Sequence, residues 1–174
     1  MPKLVKMFKI GKSEKKEFMY TGFHMKQEED GITIDQTDYI EAIKIPKLDP
    51  KRLLQKEDEM TQQELTLVRQ STGVLNWSVR STRPDLSFEL IEQSTSFKGG
   101  KVKHLAQSQR TLAQLKKGKA HIKISALGDW KNVQIWCYTD AAFQNLNDKQ
   151  DSCGGFIIFL VNTETGHCAP LDWK

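Results

Sequence analysis

The chain has 174 residues, 38% of them hydrophobic and 28% charged, with a net charge of +4. That length holds one domain or two small ones around a sizeable core. The longest apolar run, Phe156 to Val161, is too short for a bilayer span, and the basic start Met1 to Phe8 lacks the apolar stretch of a secretory leader; an intracellular protein with no membrane partner is expected.

In chain order, Met19 to Met25 alternates loosely and Asp30-Gly31 separates it from Ile32-Thr33-Ile34. Asp-Gly between alternating runs predicts a β-hairpin. The acids Glu28, Glu29 and Asp30 sit beside that turn and read as a solvated tip. Asp35-Gln36-Thr37-Asp38 has the capping-box pattern and predicts a short helix ending before Pro46. Residues 46 to 60 read as a surface connection. A second box, Thr61-Gln62-Gln63-Glu64, opens a longer helix whose Leu65, Val68, Thr72, Leu75 and Val79 share one face. A third, Thr82-Arg83-Pro84-Asp85, is expected to cap its helix through the Thr82 hydroxyl and the Asp85 amide, with Pro84 in the first turn. Gly99-Gly100 then breaks the chain before another helix, which should end near Gly118 with Val102, Leu105, Ala106, Gln109, Leu112 and Ala113 inward.

Strand-like segments follow at His121 to Ser125, Val133 to Thr139, Gly155 to Val161 and Cys168 to Trp173. Short turns favour antiparallel pairing of the last three. Cys137, Cys153 and Cys168 lack zinc-ligand spacing and read as reduced, structural thiols.

Charge is distributed unevenly. From Lys98 to Lys123 there are eight basic residues and no acid, whereas residues 35 to 64 carry eight acids. On the last helix, Lys103, Gln107, Arg110, Gln114 and Lys117 recur at steps of four, three, four and three, which aligns them in one polar stripe. Such a stripe is either an ordinary solvated face or a surface that attracts a phosphate backbone and releases its counterions, with the glutamines reaching groove edges.

Asp140 follows the run Val133 to Thr139. An acid delivered by a strand is a turn former, a cap, or one ligand of a metal-dependent nuclease. Two metals about 4 Å apart need several carboxylates, and this chain supplies one. Gly99-Gly100 lacks the Lys-Ser/Thr element of a phosphate loop, and Cys153 has no identifiable histidine base. The four tryptophans read as packing residues.

Taken in order, Tyr20-Thr21-Gly22-Phe23, Gly31 to Gln36 with Tyr39-Ile40, Gly73-Val74-Leu75-Asn76-Trp77, Thr82-Arg83-Pro84-Asp85-Leu86-Ser87-Phe88 and Tyr138 to Phe143 resemble the Pol polyprotein of copia-type LTR retrotransposons. The resemblance runs from about Phe18 to Lys174. It implies an α+β chain: residues 1–45 as the end of a reverse transcriptase palm with a primer-grip-like hairpin, 46–119 as three thumb and connection helices, and 120–174 as the start of a ribonuclease H-like antiparallel sheet.

By the same resemblance, Asp140 is similar to the first metal-binding and catalytic aspartate of the ribonuclease H domain, and Mg2+ is the parent enzyme's cofactor. An RNA/DNA hybrid or duplex and the remainder of a Pol polyprotein are the implied partners. The Asp-Asp pair of a polymerase site is missing, and the later ribonuclease H carboxylates are expected beyond Lys174. A fragment inactive by itself is therefore expected, with a non-catalytic nucleic-acid-binding module, or an inert product of a decayed element, as the alternatives.

Overall fold

Two tight turns organise the first sheet. A computed structural model describes residues 15–146 and 151–174, so the basic start lies outside the described residues. Strands β1 (Glu17–Tyr20) and β2 (Phe23–Glu28) pair with Tyr20 opposite Phe23, and the two-residue turn between them puts Thr21 at φ 47° and Gly22 at φ 87°. Positive φ at both positions matches the right-handed twist of a hairpin. The sequence reading ran through this point as one alternating stretch, because threonine rarely marks such a turn.

Strand β3 (Gly31–Asp35) returns from Glu29-Asp30 as the Asp-Gly signal predicts. A Cβ at Gly31 would collide with the Ile124 carbonyl of the next strand, so the close approach requires glycine there.

That next strand is β4 (His121–Ser125), and the sheet order is β1-β2-β3-β4, antiparallel throughout. Grouped by sequence with the last strands, β4 instead pairs with β3 across all the intervening helices. The hairpin is thus part of a four-stranded sheet.

Between β3 and β4 come five helices: α1 (Thr37–Ala42), α2 (Pro50–Leu53), α3 (Gln62–Val79), α4 (Ser87–Thr95) and α5 (Val102–Lys117). The region read as a surface connection holds α2, whose Asp49 side chain accepts from the Lys51 amide, with Pro50 in the first turn. On α3 the capping box forms as predicted: the Glu64 amide donates to Thr61 Oγ1 at 3.2 Å and the Thr61 amide donates to Glu64 Oε2 at 2.7 Å. Ile40, Leu75, Val79, Leu86, Leu112, Leu115 and Ala120 form the buried core between helices. Phe23 meets Trp77 with ring centroids 5.3 Å apart, which ties β2 to α3.

The third capping pattern does something else. The Thr82 hydroxyl donates to Gln36 Oε1 at 2.8 Å, and α4 begins without a side-chain cap. Arg83, only 4% exposed, forks onto Asp85 at 2.8 and 2.7 Å and donates to the Leu115 carbonyl at 2.6 Å. A capping pattern has become a long-range clamp.

Strands β5 (Val133–Leu146), β6 (Asp151–Asn162) and β7 (Cys168–Trp173) form a second antiparallel sheet with β6 central. Buried Asn162 closes the β6–β7 turn by accepting from the Glu164 and Thr165 amides, and donates to the Leu127 carbonyl. Trp173 Nε1 donates to the Val79 carbonyl at 2.7 Å and pins this sheet to the end of α3. The fold is mixed α+β, and no helix among the described residues is long and apolar enough to cross a membrane.

A Cβ added at Gly118 would lie 2.6 Å from the Arg83 guanidinium, which its buried bonds prevent from moving aside. Gly118→Ala should destabilise the protein by about 1–3 kcal/mol, and Arg83→Ala by about 1–3 kcal/mol, because the Leu115 carbonyl and Asp85 lose their donor. Equilibrium urea denaturation measures both. The Arg52 guanidinium, donating to Glu64 at 2.8 Å, and the cap amide hold the Glu64 carboxyl down to about 2 against 4.5 for the free group. Its stabilisation is therefore complete above pH 4.5 and lost as pH falls towards 2. Glu64→Gln should lower stability at neutral pH and flatten the acid limb of a stability–pH curve between those values.

Candidate nucleic-acid interface

Helix α5 carries the polar stripe, and its sequence decides which face turns outward. Val102, Leu105, Ser108, Thr111, Leu112 and Leu115 are buried, whereas Lys103, Arg110, Gln114 and Lys117 are exposed and Gln107 is half-buried. Ser108 and Thr111 fill inner positions where the sequence reading had put Ala106, Gln109 and Ala113, which are half-buried. Gln109 instead donates to the Pro46 carbonyl at 2.9 Å, and Lys116 donates to the Glu41 and Ile43 carbonyls at 2.8 and 2.7 Å. These bonds moor the helix to the chain that leaves α1.

The fold divides the stripe in two. Segment 56–60 runs beside the start of α5: the Met60 amide donates to Gly100, Val102 to Asp58 and Lys103 to Lys56. Glu57 is thereby placed with Oε2 2.6 Å from Lys101 Nζ and Oε1 3.5 Å from Lys103 Nζ. Those ammoniums, Lys101 first, hold the Glu57 carboxyl below the usual range. Further along, Gln107 donates to Glu92 of α4. Acid-free in sequence, the first half of the stripe meets two acids in space. Arg110, Gln114 and Lys117 form the other half, with no ion-pair partner among the described residues and no acid on their own helix.

Lys98, Lys101, Lys103, His104 and Arg110, together with Glu92, line a cleft of about 410 Å³ between α4 and α5. His104 Nδ1 accepts from the Lys101 amide at 2.9 Å, so the imidazole is neutral in this arrangement. Burial, and then the charge of Lys103, push its pKa down in keeping with that role. Lys98 and Lys101 belong to the basic run in sequence, and the cleft arises only when the chain folds. The available signal was Gly99-Gly100, which folds Lys98 back towards α5.

Asp140 stands elsewhere. It lies within β5, opposite Gly155, and not at a strand end, since the strand continues to Leu146. Its exposed carboxylate accepts from the Ala141 amide at 2.9 Å. Asp172 of β7 shares a cross-strand row with Cys137, three residues from Asp140 along β5, so strand alternation turns the two acids to opposite faces. Among the described residues, no three His, Cys, Asp or Glu side chains group to hold a metal. Among the described residues Asp140 stands as one carboxylate, which does not suffice to share and charge-balance the two metal ions of a phosphoryl-transfer site. Cys137, Cys153 and Cys168 are free thiols.

No family model matches the chain, and no curated protein or solved structure is significantly similar to it. Function therefore rests on the chemistry of the surfaces above.

Because Arg110 and Lys117 have no ion-pair partner among the described residues, Arg110→Ala and Lys117→Ala should each change stability by less than about 0.5 kcal/mol. Gln109→Ala should cost about 1 kcal/mol, through the lost bond to Pro46. Chemical denaturation of the three variants checks the division between surface and mooring residues.

Proposed function

We propose that the chain is a nucleic-acid-gripping segment of a copia-type reverse transcriptase with ribonuclease H, and that it has no complete catalytic centre of its own. The outer face of α5 holds the duplex: Arg110 and Lys117 meet backbone phosphates and Gln114 reaches between them. Lys103 and Gln107 extend the track once their acid partners yield. The observation that carries this is the exposed half-stripe, two cations and an amide on a helix whose other sides are moored in the protein.

A rigid cationic face of this kind binds phosphate without reading sequence, because its contacts are charge and amide dipoles on the backbone. The motif order from Tyr20 to Phe143 supports the retrotransposon origin, and Asp140 is then a mark of ancestry in the first ribonuclease H strand. Mg2+ and the missing carboxylates belong to the remainder of the Pol polyprotein.

Fluorescence anisotropy with a labelled RNA/DNA hybrid, from about 50 to 200 mM salt, tests the grip. The Arg110→Ala/Lys117→Ala variant should bind more weakly at every salt concentration and lose about two from the slope of log K against log salt. Asp140→Asn should leave binding unchanged. Equal affinity and slope for the double variant and the parent chain would exclude α5 as the contact surface.

A further inference from the structure

We propose that the cleft between α4 and α5 is a discrete phosphate pocket, with Lys98 and Arg110 as its direct ligands and Glu57 as a built-in competitor for its cations. It deepens the nucleic-acid grip and rests on that reading for the source of the phosphate. The pocket adds Lys98, Lys101 and Glu57 to residues not otherwise assigned a function.

Four residues with cationic side chains, Lys98, Lys101, Lys103 and Arg110, line one concave space from the α4–α5 loop and from α5. Clefts lined by one sign of charge between low-dielectric walls focus the potential and concentrate counter-ions. The acids that reach these cations do not balance them. Glu92 lines the cleft but is engaged by Gln107, and Glu57 bridges Lys101 and Lys103 from outside the lining. Among the described residues, Lys98 and Arg110 have no ion-pair partner. Among the described residues, two acids stand against four cations, a balance that favours an added anion.

Glu57 also shows what the site binds. Its carboxylate spans two ammoniums, which shows that Lys101 and Lys103 can both reach the oxygens of one anion. Being exposed on a connecting segment, it can swing into solvent when a stronger anion arrives. A phosphate group is that anion: more charge than a carboxylate, and enough terminal oxygens to accept from both the Arg110 fork and Lys98. The cleft volume also admits the nucleoside next to the phosphate.

Two sources share this chemistry, a nucleic-acid backbone and a free polyphosphate. Calorimetric titration of the full chain with sodium tripolyphosphate, paired with anisotropy on the RNA/DNA hybrid, separates them. Lys98→Ala should weaken tripolyphosphate binding about tenfold, and Glu57→Gln should tighten it about threefold by removing the competing carboxylate. Both residues are surface side chains, and circular dichroism verifies that the variants fold.

If Lys98→Ala weakens the hybrid as well, and tripolyphosphate displaces the hybrid, the occupant is a backbone phosphate. If only tripolyphosphate binding falls, the pocket stands with a free polyphosphate as its ligand. A Gln114→Ala/Lys117→Ala variant leaves the cleft lining intact, so full hybrid binding by it would remove Gln114 and Lys117 from the grip while leaving the pocket in place. Unchanged tripolyphosphate binding in Lys98→Ala, or weaker binding in Glu57→Gln, would overturn the pocket.

Discussion

The buried guanidinium of Arg83 is the constraint on which the rest of the arrangement depends. It sits at the corner between α3 and α4, grips Asp85 of its own turn, and donates to a carbonyl in the last turn of α5. Taking a charge out of water is expensive unless every donor is engaged, so the site tolerates little displacement of its partners. Gly118 must lack a Cβ to pass the guanidinium, and Ala120, two residues on, receives the Gln36 amide at the join of β3 and β4. Thr82 closes the circuit by donating to the Gln36 side chain. The C-terminal end of α5, and with it the direction of its cationic face, is therefore fixed to both the helical core and the first sheet.

Local signals were legible in the sequence, and distant ones were not. Thr61-Gln62-Gln63-Glu64 forms the predicted capping box because both bonds lie within one turn, with Arg52 adding support. Thr82 to Asp85 carries the same pattern, yet its hydroxyl is taken by Gln36, distant in sequence, and its acid by the neighbouring arginine. The antiparallel pairing of β5, β6 and β7 follows from short connections, whereas β4 belongs to β3 across five helices. Alternation within a strand says which residues share a face, but not which sheet it joins.

The same limit governed the site. Spacing alone identified Arg110, Gln114 and Lys117 as one exposed face, since helical periodicity is a local property. Counting charges along the chain could not find Glu57 or Glu92, which the connecting segment 56–60 and helix α4 bring beside Lys103 and Gln107. Asp140 was placed at a strand end because the apolar run stops there, while the backbone pairing continues through Ala141 and Ala142. The second sheet has its own character: Ile135 is 70% exposed and Tyr138 55%, in contrast to the closed core among the helices. Trp173 and Asn162 join it to the rest through backbone carbonyls.

On the proposed reading, contact with nucleic acid falls to α5, whose direction the scaffold fixes, and not to the strands, where Asp140 and Asp172 turn to opposite faces. Hydrogen–deuterium exchange of the full chain with and without an RNA/DNA hybrid tests that assignment directly. Added protection should concentrate between residues 98 and 117, with β5 to β7 unaffected. Protection confined to residues 133–174, or no change along α5, would contradict it.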